Sequence, residues 1–292
     1  MLGKREEKYE FVKKYGREYG VTRICRELEI GDSGYYAWLK RPKSCRAKEN
    51  EKLLFKIRVV FAKHKKRYGS PRIFEELDKQ YGENRIARLM RKNGIRAKQA
   101  RKYKATTNSK HDYPIAVNIL QQRFVVVRPN EVWVADITYV WTHEGWLYVA
   151  VVIDLYARKV VGLAMSANID AELANAALNQ AVVRRRPPTG VLYHADQGST
   201  YAADSHQEIV AKHGLVMSMS EKGNPYDNAP AESFYGTFKK ELIFDEVLRT
   251  RSEAKGKIFE YVEAYYNTGR RHSYNGYKTP EQAEKAYYQL NK

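Results

Sequence analysis

Three consecutive apolar segments between residues 131 and 166 constrain the fold more than any other feature of this sequence. They read EVWVADITYVWT (131–142), WLYVAVVIDLYA (146–157) and RKVVGLAMS (158–166), with only tight connections between them. Strands joined by such short turns pair antiparallel. The first segment is apolar on both alternating faces, which is typical of a strand buried in the centre of its sheet. We therefore predict an antiparallel meander whose first strand, 131–142, is central in the whole sheet.

The next segments alternate between helix and strand patterns. In order they are AELANAALNQAVVRR (171–185), GVLYHAD (190–196), SHQEIVAKHG (205–214), VMSMS (216–220) and PAESFYGTFKKELI (230–243). The resulting order, β-β-β-α-β-α-β-α, is that of the ribonuclease-H-like fold. We predict an α/β core with a mixed five-stranded sheet and helices, preceded by an all-α region.

Three carboxylates occupy unusual positions in this core. Asp136 lies in the middle of the central strand, Asp196 ends the fourth strand, and Glu232 lies in the first turn of the last helix. A buried carboxylate needs a partner, and α/β sheets place ligands at the carboxyl ends of their strands. Oxygen ligands suit Mg²⁺, and two such ions can assist attack on a phosphodiester. We predict that the three carboxylates are catalytic residues that bind two Mg²⁺ ions, which Mn²⁺ can replace.

Basic charge is concentrated in the first part of the chain. Residues 1–130 hold 34 Lys and Arg against 14 Asp and Glu, a net of +20, whereas residues 131–292 hold 18 against 20, a net of −2. General solubility would not require this division. A front half that binds a polyanion, joined to a nearly neutral catalytic half, accounts for it better.

Two helix-turn-helix outlines occur within the basic half. The first is weak: short helices at 8–19 and 21–29 lead through Gly31 into GYYAWLKR, followed by a helix at 47–66. The second starts at Ser70-Pro71, and Asn84 is expected to cap a helix that ends at Gly94. Its apolar residues must face inward, which leaves basic side chains outside. From 85 to 110 there are ten basic residues and no acidic one.

This basic run predicts phosphate contacts with double-stranded DNA, although a solvated surface would show the same charges. The residues assigned to DNA here are Arg85, Arg88, Arg91, Lys92, Arg96, Lys98, Arg101 and Lys102.

Lys239 follows Glu232 by seven residues, almost two helical turns, so both lie on one face of the last helix. Lys239 can then approach a phosphate beside the metal ions. The alternative is a solvated lysine next to Lys240.

The whole chain divides into five predicted regions. They are an N-terminal helix-turn-helix-like region (1–66), a second such region (67–102), a linker (103–128), the catalytic core (129–250) and a helical tail (251–292). In the tail, Ser252 is expected to cap one helix and Thr279 another. Arg270 and Arg271 either contact DNA or hold the tail on the core, with a slight preference for DNA.

Several segments match a known family in order along the chain: WVADITYV, VIDLYARKVVG, HADQGSTY, SMSEKGNPYDNAPAESFYGTFKKE and YYNTGRRHSYNGYKTP. YGSPRI and RIARLMRKNGIRA are similar to its upstream helix-turn-helix. The chain resembles the second-frame product of insertion-sequence-3 family transposases and, more distantly, retroviral integrases. The resemblance covers nearly the whole chain.

The resemblance implies that Asp136, Asp196 and Glu232 form the Asp-Asp-35-Glu triad, and that Lys239 is the basic residue seven positions after the glutamate. It implies cleavage at an element's 3′ ends and joining to target DNA, often through a circular intermediate. It also implies a homo-oligomer on DNA, and the product of an upstream reading frame as a further partner. Unlike integrases, this chain has only two cysteines and dispersed histidines, so it cannot form their N-terminal zinc site.

Three other polar residues have simpler expected roles. Asp154 is expected to cap a turn rather than bind a metal, Asp227 to form a turn, and His194 to be a hydrogen-bonded core histidine. The segment 220–234 is interpreted as a hinged loop over the site.

Two other function classes are consistent with the same residues: a nuclease of this fold that cuts without joining, and a DNA-binding regulator with an inactive core. No apolar run is long enough to span a membrane, and no signal peptide is visible. We expect a bacterial cytoplasmic protein associated with the nucleoid.

Overall fold

The computed structural model of the chain describes residues 4–98, 113–222, 224–244 and 246–291. The N-terminal helices are α1 (Arg5–Tyr19), α2 (Val21–Glu27), α3 (Asp32–Lys40), α4 (Cys45–Lys63), α5 (Ser70–Glu76) and α6 (Glu83–Lys92). The strands are β1 (Val132–Thr142), β2 (Gly145–Asp154), β3 (Lys159–Ser166), β4 (Leu192–Ala195) and β5 (Val216–Met219). The remaining α-helices are α7 (Ala171–Arg185), α8 (Ser199–Ala202), α9 (Asp204–Lys212), α10 (Ala229–Phe238), α11 (Arg251–Phe259) and α12 (Pro280–Leu290). None of the helices in these ranges is both long and apolar enough to cross a membrane.

The five strands form one mixed sheet, as the sequence predicts, and their order in it is β3-β2-β1-β4-β5. β1 pairs antiparallel with β2 and parallel with β4, so it lies at the centre. β2 and β3 continue the antiparallel meander, and β5 lies parallel to β4. Because β4 pairs with the first residues of β1, the end of β4 lies beside the middle of β1, next to Asp136.

Two apolar layers cover the sheet. Alternate residues of β1 contribute to each layer: Val134 faces α10 and α11, whereas Trp133 faces α7 and α9. Helix α7 packs very closely on β3, because a Cβ added at Gly162 would lie 2.2 Å from the Ala177 carbonyl oxygen. Only glycine fits there, and the sheet is therefore held tightly against α7.

Only one of the two layers extends along the whole of β1. On the face that packs against α10 and α11, Val140 and Thr142 are buried, whereas on the opposite face Trp141 is 56% exposed. The sequence predicts burial on both faces for this entire segment, and that prediction is wrong for Trp141. The cause is geometric: the layer that β1 forms with α7 and α9 does not reach Trp141.

Helix α4 packs with α5 and α6 rather than with the N-terminal helices. Leu53 and Ile57 of α4 lie in one buried cluster with Ile73 of α5 and Ile86 of α6. Helices α1 to α3 form a separate cluster. The predicted boundary at 66/67 therefore separates α4 from its packing partners, and the structure moves this boundary to the N-terminal side of α4.

Three predicted helix starts differ from the structure. Helix α6 begins at Glu83 after Gly82, so Asn84 lies inside the first turn instead of capping it. Helix α5 includes Ser70 and begins after Gly69. Helix α11 is capped by Thr250, whose hydroxyl accepts a hydrogen bond from the Glu253 N–H at 3.0 Å, and not by Ser252. The capping box predicted at Thr279 is present.

Candidate functional site

The paired strands β1 and β4 bring Asp136 and Asp196 to the same level of the sheet. Val134 pairs with His194, and the same register continued by two residues places Asp136 beside Asp196. Neighbouring strands lie about 4.8 Å apart. Both side chains are half-buried, and each accepts a local backbone N–H: Ile137 donates to Asp136 at 2.8 Å and Gly198 to Asp196 at 3.0 Å.

The helix that carries Glu232 is attached to the backbone on both sides of Asp136. The Asn228 amide donates to the Ala135 carbonyl at 3.1 Å, just before α10 begins. The Tyr235 hydroxyl lies 2.7 Å from the Asp136 carbonyl oxygen and 2.9 Å from that of Val149. Glu232 lies between these two anchors, in the first turn of α10. The fold therefore holds Glu232 near the two aspartates although its own side chain is exposed.

The electrostatics of Asp136 indicate that the site lacks positive charge. Burial, and next the negative charge of Asp196, raise the pKa of Asp136 well above its usual range, and Glu232 adds to this effect. The Ile137 N–H and the Lys239 ammonium group oppose it. Carboxylates that repel one another in a half-buried position bind a proton or a cation to relieve the repulsion.

Asp136 and Asp196 form a pair, but Glu232 does not complete a three-carboxylate cluster with them. Within the ranges that the structure describes, no three His, Cys, Asp or Glu side chains are gathered closely enough to hold a metal ion. The donor chemistry nevertheless fits Mg²⁺, which prefers one or two carboxylates and completes its shell with water and substrate oxygens. Asp136 and Asp196 are the residues that could hold it, and Glu232 lies at the rim.

Lys239 lies at the end of α10 and is only 5% exposed. Its ammonium group is 5.0 Å from the centre of the Tyr139 ring. Burial lowers the pKa of Lys239 to about 8, while the charge of Asp136 acts in the opposite direction. The solvated alternative considered for this lysine is therefore wrong, because the side chain is enclosed beside the carboxylate pair.

Beyond Lys239, the helical segment continues as a π-helical turn, Lys239–Ile243, that contains the buried Glu241. The Arg270 guanidinium donates to both oxygens of Glu241 at 3.0–3.1 Å, and the Tyr261 hydroxyl donates at 3.0 Å. Arg270 is 3% exposed and Glu241 is 2% exposed. This placement argues against a DNA contact by Arg270 and supports the alternative, that it holds the tail on the core.

The helix-turn-helix-like region contacts the same segment. The Arg67 guanidinium donates to the Glu241 carbonyl oxygen at 3.2 Å and lies 4.3 Å from the centre of the Tyr265 ring. The Tyr68 hydroxyl donates to the Gly269 carbonyl at 3.2 Å and accepts the Arg271 N–H at 2.9 Å. The region α4–α6, the segment Lys239–Ile243 and the tail thus meet in one buried polar cluster.

Arg271 also belongs to this contact. Its guanidinium donates to Glu76 of α5 at 2.7 Å. The Lys63 ammonium group donates to the same carboxylate, and His64 Nε2 also lies within hydrogen-bonding distance of it. Burial opposes ionisation of Glu76, but the hydrogen bonds from Lys63, Arg271 and His64 outweigh it and lower the pKa of Glu76 to about 2. Arg271 is half-buried, so it too is used to join the tail to α5.

The basic residues of α6 divide into two groups. Arg88, Arg91 and Lys92 are exposed on the outer face of the helix, and Arg96 is exposed after its end. Arg85, in contrast, is bound to Asn50 at 2.8 Å and to Glu49 at 3.1 Å.

Lys98 lies 3.4 Å from the Glu241 carbonyl oxygen, next to the buried cluster. Arg101 and Lys102 lie outside the described residues. The exposed basic residues Arg88, Arg91, Lys92 and Arg96 therefore remain the best candidates for phosphate contact.

Asp154 is a buried structural residue. Its carboxylate accepts the N–H groups of Asn130 at 2.8 Å and Tyr156 at 3.0 Å, and the Arg185 guanidinium at 3.1 Å. Arg185 is also paired with Glu284 of α12. Since β2 runs antiparallel to β1, Asp154 lies opposite Trp133, away from Asp136. The turn-capping role predicted for Asp154 agrees with these contacts.

Asp227 ties the predicted linker to the loop before α10. Its carboxylate accepts hydrogen bonds from the side chains of Asn118 at 2.9 Å, Gln122 at 2.8 Å and Asn224 at 3.0 Å, and from the Glu221 N–H at 2.8 Å. This is a turn-forming role, as predicted, but it extends to a segment more than 100 residues earlier in the chain.

His194 is a core histidine, as expected. It is fully buried, its Nδ1 lies 2.9 Å from the Ser218 hydroxyl, and burial lowers its pKa to about 4.

Sequence reasoning misses the residues that position the site. Asn228, Tyr235, Arg67 and Glu241 act through tertiary contacts, and none of them has a distinctive spacing in the sequence. The one available signal is Glu241, because it follows Phe238 by three residues and so falls on the buried face of the segment.

Three family models match parts of the chain. Residues 126–225 and 213–280 match models described as "Integrase core domain", and residues 48–103 match one described as "HTH-like domain". The match to the HTH-like domain begins within α4, in agreement with the packing of α4 on α5 and α6.

Curated relatives cover nearly the whole chain. It is 42% identical over 270 residues to the "Insertion element IS600 uncharacterized 31 kDa protein" of Shigella sonnei, covering 91% of this chain and 99% of the relative. It is 39% identical over 282 residues to "Transposase InsF for insertion sequence IS3A" of Escherichia coli (strain K12), covering 95% of this chain and 98% of the relative.

Solved structures with partial similarity are viral integrases. One is the simian T-cell lymphotropic virus intasome in complex with PP2A regulatory subunit B56 gamma (TM-score 0.45, 14% identity, 78% of this chain and 74% of that chain). Another is the HTLV-2 integrase catalytic core domain in complex with magnesium (TM-score 0.43, 16% identity, 55% of this chain and 99% of that chain).

Proposed function

The chain belongs to the insertion-sequence-3 family of transposases, which are polynucleotidyl transferases with an integrase core, and from this premise we propose that it cuts and joins the ends of an insertion element in a Mg²⁺-dependent reaction. Asp136, Asp196 and Glu232 are the proposed catalytic residues and metal ligands. The observation that carries the proposal is the Asp136–Asp196 pair, held under the helix that bears Glu232 and Lys239.

The proposed reaction has two phosphoryl transfers. In the first, a water oxygen bonds to phosphorus as the bond to the 3′ oxygen breaks, which leaves a 3′-OH on the element and a 5′ phosphate on the flank. In the second, that 3′-OH attacks another phosphodiester in line and releases a new 3′-OH. Each step breaks one P–O bond for the one that it forms, and neither needs a covalent protein intermediate.

Two bound Mg²⁺ ions would activate the attacking oxygen and stabilise the leaving oxygen. The chain's own groups supply the rest. Asp136 lies within β1 and Asp196 directly follows the last residue of β4, so the sheet sets the positions of both carboxylates. Lys239 is enclosed beside Asp136, and in this proposal its positive charge would contact a phosphate oxygen. Exposed Arg88, Arg91 and Lys92 would hold the duplex, as the counterion-release argument requires.

We further propose that two copies of the chain assemble on paired element ends, and that the product of an upstream reading frame joins them. A monomer seen by analytical ultracentrifugation on a paired-end substrate would contradict the first statement.

The decisive experiment is strand transfer with labelled element ends and Mg²⁺. Wild type should cut and join, Asp136→Asn should do neither, and Asp204→Asn, which changes an exposed aspartate of α9, should act like wild type. Cutting without joining by the wild type would favour a nuclease, and binding without cutting would favour a regulator.

Metal binding can be measured without activity. Mg²⁺ or Mn²⁺ should raise the thermal midpoint of the wild type by linkage, and should not raise that of Asp136→Asn. An equal rise of the thermal midpoint in both proteins would mean that the ion binds at a site that does not include Asp136.

A further inference from the structure

Three aromatic side chains form a group on the β1–β2 hairpin, which we name the hairpin aromatic cluster: the exposed Trp141 and Trp146 and the half-buried Tyr139. The Trp146 ring centre lies 5.0 Å from that of Tyr139 and 4.8 Å from that of Trp141, in edge-to-face arrangements. Trp141 and Trp146 are direct partners in the strand register. Each indole therefore supports the other although neither is buried.

The exposure of this cluster is unusual for its chemistry. Trp141 is 56% exposed and Trp146 is 43% exposed, whereas Trp133 on the same strand is fully buried. A buried indole contributes a large apolar area to folding, and two half-exposed indoles side by side forgo much of that contribution. Adjacent exposed aromatic side chains are typical of a binding surface.

The cluster lies farther along β1 than the proposed catalytic residues and on the opposite face of the strand from Asp136. Tyr139 and Trp141 lie three and five residues beyond Asp136, a distance of about 10–17 Å along the strand. This is the length of about three to five stacked nucleotides. Strand β4 pairs with β1 at Val132–Val134, before Asp136, so a DNA strand can pass from one face to the other over the edge of β1 beyond that pairing. Lys239, whose ammonium group lies 5.0 Å from the centre of the Tyr139 ring, also interacts with Asp136 and so links the two places.

Positive charge also lies at the other end of the cluster. The Arg251 guanidinium donates to the Trp146 carbonyl oxygen at 3.0 Å. The same guanidinium packs against Gly145, because a Cβ added to Gly145 would lie 3.0 Å from one of its nitrogens. The Arg251 N–H donates to the Glu144 carboxylate at 2.7 Å. Aromatic faces with a cation at each end match a single nucleic-acid strand, in which bases stack and phosphates need positive charge.

We propose that the hairpin aromatic cluster binds unpaired nucleobases of the DNA strand that leads away from the phosphate being cut. The bases stack on Trp141 and Trp146, and Lys239 and Arg251 face the phosphates on either side. This inference rests on the proposed function, since it takes the phosphate at Asp136 as its starting point. A flat protein partner fits less well, because the cluster is small and its two ends are cationic.

The test compares two DNA probes with the full-length protein in EDTA, where no cutting occurs. One probe is a blunt duplex of the element end, and the other carries a five-nucleotide thymidine single-stranded flank. A stacked base contributes about 1–3 kcal/mol, so the flanked probe should bind about 5- to 150-fold more tightly and quench tryptophan fluorescence. Trp141→Ala and Trp146→Ala should lose this preference and keep the affinity for the blunt probe.

Two comparisons make the result specific. Trp141→Phe keeps an aromatic face and should retain most of the preference, and Phe55→Ala, which removes a 69% exposed aromatic side chain of α4, should leave it unchanged. An abasic flank should reproduce the loss with the wild-type protein. Equal preference in wild type and both tryptophan-to-alanine variants would overturn the proposal, as would a wild type with no preference.

The binding assay is independent of the proposed chemistry. A wild type that prefers the flanked probe but never cuts it would refute the proposed function and leave the stacking site standing. A wild type that cuts normally while the alanine variants keep their preference would refute the stacking site alone. A change in oligomeric state on tryptophan substitution, measured by sedimentation without DNA, would show that a second copy of the chain covers the cluster and would also overturn the proposal.

Discussion

Glu232 and Glu241 lie nine residues apart on one continuous helical segment, yet their surroundings are opposite. Glu232 is exposed in the first turn of α10 and has carboxylates for neighbours. Glu241 is 2% exposed and is held by Arg270 and Tyr261. A buried glutamate with a matched cation serves the fold, whereas an exposed one beside like charges is free to bind a ligand. This contrast between the two glutamates can be tested by substituting Glu232 and Glu241 separately.

The largest expected effect on stability is at Glu241. Glu241→Ala should lower the free energy of unfolding by about 3–5 kcal/mol, because it leaves the buried Arg270 guanidinium without its partner. Urea denaturation followed by circular dichroism measures this. The double variant Glu241→Leu/Arg270→Met removes both charges and should recover most of the loss. A loss below about 1 kcal/mol in the single variant would show that the pair does not hold the segment.

The next effect is a pH dependence at Glu76. Its folded pKa of about 2 lies below the unfolded value, so the unfolded chain binds more protons as pH falls. The stabilisation is complete above about pH 4.5 and is lost as pH falls towards 2, on the order of 3 kcal/mol in total. Glu76→Gln should flatten the unfolding free energy over this pH range. Glu75→Gln, whose partner Lys79 is 3.4 Å away and exposed, should keep the wild-type slope.

A smaller effect is expected where the helix-turn-helix-like region meets the tail. Tyr68→Phe keeps the ring but removes the hydroxyl that bridges Gly269 and Arg271. We expect a loss of about 1–2 kcal/mol in the free energy of unfolding, since each hydrogen bond contributes about 0.5–1.5 kcal/mol. Tyr274→Phe, which removes one long 3.4 Å contact from an exposed ring, is the control. Equal losses in both variants would mean that the contact at Tyr68 has no special role.

The smallest effect on stability, and a complete effect on activity, is expected at Glu232. Glu232→Gln should change the free energy of unfolding by no more than about 0.5 kcal/mol, because its side chain is exposed. Strand transfer should nevertheless be lost. Retained joining would remove Glu232 from the proposed catalytic set, and a large loss of stability would make it a structural residue like Glu241.

Much of the core could be predicted from the sequence because its signals are local. The strands between 131 and 166 follow from unbroken apolar runs with short turns, and helix α7 from a pattern that matches its observed ends, Ala171–Arg185. Asp136, Asp196 and Glu232 were identifiable because a carboxylate in a buried strand or at a strand end is unusual. Helix starts were less certain, since Gly82, Gly69 and Thr250 compete with nearby Asn and Ser residues as caps.

The roles of the arginines show where local patterns stop being informative. Arg88 and Arg270 both occur in basic stretches, and the sequence assigns both to DNA. The structure exposes Arg88 and buries Arg270 on Glu241, 29 residues away in the chain. Which basic residue meets an acidic partner depends on long-range packing, and no periodicity encodes it.

The sequence by itself determined the mixed sheet, the three unusual carboxylates, the basic front half and the family to which the chain belongs, because apolar periodicity, turn length and charge density act over short stretches. Only the tertiary structure decided which polar groups are buried together. The register of β1 against β4 places Asp136 beside Asp196, and Asn228 and Tyr235 fix helix α10 beside them. The layer of helices on the other face ends before Trp141 and Trp146, which leaves both indoles in solvent. Those outcomes depend on the relative positions of separate elements, which the whole fold sets at once.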